Sequence, residues 1–308
     1  MGHLLSMLSL LSVLLFTNCS DTGTPPVNKT YRFNGVMNVD EWRRTFVLQL
    51  PSGYYENDTA RFPLVIGLHG TGGSASQFER SYNFSQKAES GQFIVAYPDG
   101  VPSDGLFGVR TWNAGKCCDY AMHHNVDDVK FISELISRVS ADYKVDPKRV
   151  YVAGMSNGAM LAYRLACEIP QQIAAIATVS GTMQVQPPCQ PSRPVPILHV
   201  HSAKDTKVPY LGGIGIGGYY FPPVDSVLQV WSSLDTCGGS RVLQDDGTYR
   251  LTEWYSCANG VIMRCYLTQD GGHAWPGGHK SASWADTPST VINANDLIWD
   301  FFRQFTLP

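Results

Sequence analysis

Charge is scarce in this sequence: Asp, Glu, Lys and Arg make up 16% of its 308 residues, where about a quarter is usual. No basic run occurs, and 23 Lys+Arg against 26 Asp+Glu leave a net charge of −3. Such a chain has no electrostatic footprint for a polyanion, so nucleic acid is excluded as a partner. Long apolar runs are missing too. Leu4 to Phe16 is shorter than the roughly 20 residues a helix needs to cross a bilayer, so no transmembrane span is predicted. No C-x-x-C pair and no internal repeat is present, which argues against zinc ribbons, thioredoxin-type redox sites and solenoids.

What the chain has is glycine (29), proline (19) and cysteine (8): many turns, and more thiols than a reduced cytosolic enzyme usually carries. Met1-Gly2-His3 followed by the run to Phe16 fits a secretory h-region, although Lys and Arg are lacking before it. Two readings stay open: a lipoprotein signal with Cys19 as a lipid anchor, to which Asn18 is a poor match, or an ordinary signal peptide cut nearby. Residues 1–19 are therefore expected to be a signal, 20–30 with Pro25-Pro26 a linker, and 31–308 a single domain. The protein is expected to be secreted, or held at the cell surface or in the periplasm. Cys237 and Cys257 flank a hairpin-like stretch and are the preferred disulfide. Adjacent Cys117 and Cys118 are expected to pair elsewhere or stay free, because Cα atoms about 3.8 Å apart are closer than a relaxed bridge prefers. Seven cysteines beyond Cys19 leave one odd.

From Tyr31 onward, short apolar runs alternate with helical patterns. Strands are expected at Glu41 to Leu50, Pro63 to Leu68, Phe93 to Tyr97, Val150 to Ala153, Ala174 to Val179, Val195 to Val200 and Val261 to Leu267. Helices are expected at Val126 to Tyr143, with a stripe of Val129, Ile132, Leu135, Ile136 and Val139 behind the acidic pair Asp127-Asp128, after Ser156, at Ser226 to Leu234 and at Asn295 to Phe305. This order implies an α/β fold with a mostly parallel sheet covered on both faces.

Gly154-Met155-Ser156-Asn157-Gly158 is G-x-S-x-G between a strand and a helix, where two glycines permit the sharp turn that lifts a serine hydroxyl above a sheet. In parallel sheets the site lies beyond the carboxyl ends of the strands. Asp205 and His273 each follow a strand there, giving the order Ser…Asp…His. Asp235, Asp245, Asp246 and Asp270 compete with Asp205, but the first falls in a helix, the next two in a polar turn, and the last crowds the histidine. A serine hydroxyl needs a base, an imidazole can be one near neutral pH, and a carboxylate fixes that imidazole's tautomer. The catalytic candidates are thus Ser156, Asp205 and His273. The oxyanion candidates are the backbone N–H groups of Asn157 and of Thr71, the latter in the glycine-rich loop His69 to Ser74.

With these residues placed, the chain resembles the secreted feruloyl esterase and polyhydroxybutyrate depolymerase type of α/β-hydrolase. The resemblance rests on Leu68-His69-Gly70, Trp112 to Cys118, Val126 to Val129, Gly154 to Gly158, Asp205 to Tyr210 and Gly272 to Gly278, and runs from Trp42 to the end. It implies Ser156, Asp205 and His273 as nucleophile, acid and base, and ester hydrolysis on plant cell-wall conjugates or aliphatic polyesters without metal or organic cofactor. Ser202 departs from the family's usual glycine, which bears on the local loop. The expected function is a serine carboxylesterase of feruloylated polysaccharide. Polyhydroxybutyrate or hydroxyalkanoate depolymerase and acetylxylan esterase are the alternatives, a peptidase of the same fold is an enzymatic rival, and a non-catalytic polysaccharide-binding protein is the rival of another class.

Gly213 to Gly218 matches G-x-G-x-x-G, but it follows a loop and leads to Tyr219-Tyr220-Phe221 rather than a helix, so a loop beside the pocket is expected instead of a dinucleotide site. His199 and His201, two apart on a strand, and adjacent His123-His124 suit core and surface positions better than a metal site. Trp112, Tyr219 and Trp275 are candidates for an aromatic-lined substrate pocket, with core packing as the competing reading.

Overall fold

The computed structural model describes residues 29–185 and 188–308; the expected signal and Cys19 lie outside the described residues. Tyr31–Pro308 forms one compact unit around a ten-stranded sheet. Its strands are β1 (Arg32–Val39), β2 (Trp42–Gln49), β3 (Phe62–Leu68), β4 (Ile94–Pro98), β5 (Val145–Met155), β6 (Ala175–Val179), β7 (Ile197–Ser202), β8 (Gly239–Asp245), β9 (Tyr249–Tyr255) and β10 (Met263–Thr268). In space the order is β1-β2-β4-β3-β5-β6-β7-β10-β9-β8. The six from β4 to β10 run parallel, and antiparallel hairpins extend both edges.

The period-2 alternation of a strand decides which core each side chain joins. Leu64, Ile66, Val150 and Val152 point to one face, while Val65, Tyr151 and Ala153 point to the other. The first face is covered by α3 (Asp128–Asp142), α4 (Asn157–Glu168) and α5 (Val224–Leu234), the second by α1 (Ala75–Tyr82), α2 (Phe84–Gly91) and α6 (Ala294–Phe302). Strands buried on both faces, β3 wholly so, read as unbroken apolar runs for this reason.

The stripe on α3 is buried throughout, and Asp127 caps the helix by accepting the Lys130 N–H. Its neighbour Asp128 does something else: it is fully buried, paired with Arg44 at 2.7 Å, and accepts the Asn113 N–H at 2.7 Å. Arg44 lies over the Phe131 ring, 3.8 Å from its centroid. This pair fastens the Trp112 to Cys118 segment to the sheet.

Cys237–Cys257 forms, as the hairpin pattern suggested, and Cys167–Cys189 forms as well. Cys265 is free and buried. The expectation for Cys117 and Cys118 is corrected: they bridge each other. The peptide bond between them is cis, with Cα atoms 3.0 Å apart.

Candidate active site

β5 ends at Met155 and α4 starts at Asn157, so Ser156 alone makes the turn, at φ 55° and ψ −119°. A non-glycine residue held at positive φ is strained, and such strain collects at functional sites. The turn is possible because its neighbours are glycine: a Cβ at Gly154 would strike the Gly158 carbonyl, and one at Gly158 would strike that of Leu68. Ser156 N–H donates to Val179 O at 2.8 Å, tying the turn to β6.

The structure brings Ser156, Asp205 and His273 together. His273 Nε2 is 2.8 Å from Ser156 Oγ, and His273 Nδ1 is 2.7 Å from Asp205 Oδ2. Asp205 Oδ1 accepts the N–H groups of Lys207 (2.9 Å) and Val208 (2.8 Å), so both carboxylate oxygens have donors. Burial pushes this carboxyl's pKa up, but the hydrogen bond from His273, the fields of His273 and His201 and the Val208 N–H outweigh it and hold it below the usual carboxylate value. Three of the four competitors are occupied elsewhere. Asp235 accepts the Val195 N–H at 3.1 Å, Asp246 caps the turn before Tyr249, and Asp270 holds Ser289 and Thr290.

The loop after β3 is shaped by His69. Gly100 N–H donates to its Nε2 at 3.0 Å, so that nitrogen carries no proton and Nδ1–H donates to Gly70 O at 2.7 Å. Burial lowers its pKa to about 4, keeping it neutral. Gly70 packs directly against Ser156, where an added Cβ would stand 3.2 Å from the serine Cβ. Thr71 follows, exposed and lining the cavity. Asn157 is buried, and its backbone N–H, first in α4, has no intrahelical acceptor. Its side chain accepts the Trp112 N–H at 2.7 Å and donates to the Trp112 carbonyl at 3.0 Å.

Trp112 is therefore corrected: it is wholly buried behind the loop, its indole N–H on His69 O at 2.9 Å, and is not among the residues lining the cavity above Ser156. Trp275 is buried too, stacked on Tyr82 with centroids 4.8 Å apart, and lines the cavity from within its wall. Tyr219 lines it and accepts the Asp119 N–H at 2.9 Å, which links the Gly213 to Gly218 loop to the Cys117–Cys118 bridge.

The cavity above Ser156 and His273 measures about 700 Å³. Its inner wall is made by Met155, Met160, the Cys117–Cys118 bridge and Phe221, and its mouth by Phe107, Val109, Ile216 and Trp284. Phe107 and Trp284 are 88% and 79% exposed, high for large apolar groups. Trp284 adjoins the Lys207 ammonium, 5.8 Å from the ring centroid, and Lys207 pairs with Asp286 at 3.3 Å. Asp286 also accepts the His273 N–H at 2.8 Å. Phe107, Trp284 and Asp286 escaped the sequence reading because they stand in loops without periodicity. No cluster of three or more potential metal ligands occurs among the described residues.

Residues 44–188 match the family described as Esterase PHB depolymerase. Feruloyl esterase B of Piromyces equi is 30% identical over 273 residues, covering 86% of this chain and 46% of that protein. Putative esterase NocK of Nocardia uniformis subsp. tsuyamanensis is 30% identical over 237 residues, covering 70% of this chain and 66% of that one. The chain thus spans about half to two thirds of these relatives' lengths. An acetyl xylan esterase structure from Aspergillus awamori superposes with a TM-score of 0.57 at 15% identity, covering 84% of this chain and 94% of that one. That likeness shows the shared α/β-hydrolase fold.

Proposed function

We propose that this chain, whose residues 44–188 match the family described as Esterase PHB depolymerase, is a serine carboxylesterase acting through an acyl-Ser156 intermediate. The observation that carries this reading is the unbroken line Ser156 Oγ, His273 and Asp205 at 2.8 and 2.7 Å on the floor of an accessible cavity. His273 Nε2 takes the hydroxyl proton as Oγ attacks the ester carbonyl, and Asp205 stabilises the imidazolium that forms. The oxyanion is received by the backbone N–H groups of Thr71 and Asn157. His273 then gives the proton to the departing alcohol. Water, deprotonated by the same nitrogen, hydrolyses the acyl group and frees Ser156.

The substrate we propose is an aromatic acyl ester of plant cell-wall polysaccharide, of feruloyl type. The inner wall of sulfur and aromatic groups suits a planar ring. At the mouth, exposed Trp284 stands beside Lys207 and Asp286, which offers a sugar both an apolar face and hydrogen-bonding groups. Relatives are named feruloyl esterase B and probable acetylxylan esterase A. We place the enzyme outside the cytoplasm, secreted or at the cell surface with Cys19 as the candidate anchor. Three disulfides support an oxidising compartment.

The test is hydrolysis of methyl ferulate, p-nitrophenyl acetate and a hydroxybutyrate oligomer by wild type and Ser156→Ala side by side. Preference for ferulate, lost in the variant, is expected. Preference for acetate or the oligomer moves the substrate to acetylxylan or polyester, and no turnover of any of them by wild type overturns the esterase reading.

A further inference from the structure

Behind Asp205, on the side away from the cavity, lie two histidines that the reaction does not touch. His199 and His201 alternate along β7, so both face α4 and α5, and their rings stack with centroids 5.3 Å apart and planes within 5°. Both are buried. His201 Nε2 is 2.8 Å from Val208 O and 3.4 Å from Asp205 Oδ2. His201 Nδ1 is 3.1 Å from His199 Nε2, and His199 Nδ1 is 2.9 Å from both Tyr163 Oη and Thr178 Oγ1.

With both rings neutral, donor bookkeeping sets the ring hydrogens of this chain. A carbonyl and a carboxylate can only accept, so His201 Nε2 carries hydrogen. Burial, opposed by Asp205 and the Val208 carbonyl, lowers the His201 pKa, and burial together with His201 lowers that of His199 much further. Both rings are neutral, so His201 Nδ1 is a bare acceptor and His199 Nε2–H must point at it. His199 Nδ1 is then also an acceptor, and the hydroxyls of Tyr163 and Thr178 are the donors within reach. The order runs one way, from a residue of α4 and one of β6 to the loop that carries the acid.

We propose that His201 is a positioning residue of this esterase centre, with its tautomer set by Tyr163 and Thr178 through His199, so that Asp205 is held as an anion aimed at His273. The inference rests on the triad reading above. Val208 shows how the hold works: its N–H goes to Asp205 Oδ1 and its C=O to His201, so the 205–208 loop is gripped from both sides. Were His199 to carry its hydrogen on Nδ1, its bare Nε2 would face His201 Nδ1. The hydrogen of His201 would have to move to that nitrogen, leaving Val208 O and Asp205 without their donor.

The test uses the whole protein. Long-range ¹⁵N–¹H spectra near pH 7 should show His199 and His201 both as neutral Nε2–H tautomers, and an Nδ1–H tautomer at His201 overturns the proposal. His201→Phe, which cannot donate, should lower kcat on p-nitrophenyl acetate about ten-fold or more with KM within about two-fold, while His201→Gln recovers most of the loss. The low-field His273 Nδ1 proton resonance should move in His201→Phe and in Tyr163→Phe/Thr178→Val. Should His201→Phe not fold, that double variant decides by the same resonance, and an unmoved signal overturns the proposal. Ser156→Ala separates the two readings. If it stays active, the triad itself falls; if it is dead while folded His201→Phe keeps kcat within about two-fold, only the role of His201 falls.

Discussion

Asp205→Asn is the substitution whose outcome the structure specifies most closely. Asp205 Oδ1 accepts two backbone N–H groups, from Lys207 at 2.9 Å and Val208 at 2.8 Å, and only an oxygen can stay there. The asparagine amide must therefore place its oxygen at Oδ1 and its NH₂ where Oδ2 was, 2.7 Å from His273 Nδ1. A donor at that point forces Nδ1 to accept and puts the imidazole hydrogen on Nε2, facing Ser156 Oγ. His273 then cannot take the serine proton. The overall shape is kept, so the loss is one of chemistry: about 10⁴ in kcat, as the same tautomer error costs in other Ser-His-Asp enzymes, or about 5.4 kcal/mol. The assay is kcat and KM for methyl ferulate, with a circular-dichroism melt to show that the variant is folded. A folded Asp205→Asn within ten-fold of wild type would refute the reasoning, because it would leave His273 no need of the carboxylate.

Burial raises the Asp235 carboxyl to about 7. Native protein then keeps a proton that the unfolded chain has released above about pH 4, so stability should fall from about pH 4 to 7, by up to about 4 kcal/mol. Asp235→Asn keeps an acceptor for the Val195 N–H and should flatten that decline, which urea melts at pH 5 and 8 measure; an unchanged decline assigns it elsewhere. Arg44→Leu strands the buried Asp128 carboxylate and should cost about 3–5 kcal/mol in a denaturant melt, whereas a loss under 1 kcal/mol would mean that Asp128 is satisfied by Asn113 alone. Trp284→Ala should lower kcat/KM on a feruloylated arabino-oligosaccharide about five-fold, for a contact worth about 1 kcal/mol, with methyl ferulate unaffected; equal losses on both would remove Trp284 from sugar contact.

Much of this arrangement was legible in the sequence because it follows from local rules. G-x-S-x-G after Val150 to Ala153 can be read without a structure, since the turn needs glycine on both sides of Ser156. Asp205 and His273 are legible because each follows a strand run, and parallel β7 and β10, being neighbours, bring the residues just past their ends to one edge of the sheet. What stayed hidden depended on contacts distant in sequence. Trp112 looked like a pocket residue, and only its bonds to His69 and Asn157 place it beneath the floor. Asp128 looked like a helix-start charge, yet its partner Arg44 lies 84 residues away. The Cys117–Cys118 bridge carries no signal in spacing alone, and β1 and β8, half or more exposed at the sheet edges, give a weak apolar signal.

The central claim is that Ser156 carries the acyl group. Rapid-quench mass spectrometry of the wild-type enzyme turning over methyl ferulate tests it most directly. The account predicts a feruloyl adduct on the peptide that contains Ser156, absent from Ser156→Ala and accumulating in Asp205→Asn no faster than its residual turnover. An adduct on another residue, or hydrolysis at the wild-type rate in Ser156→Ala, would contradict it.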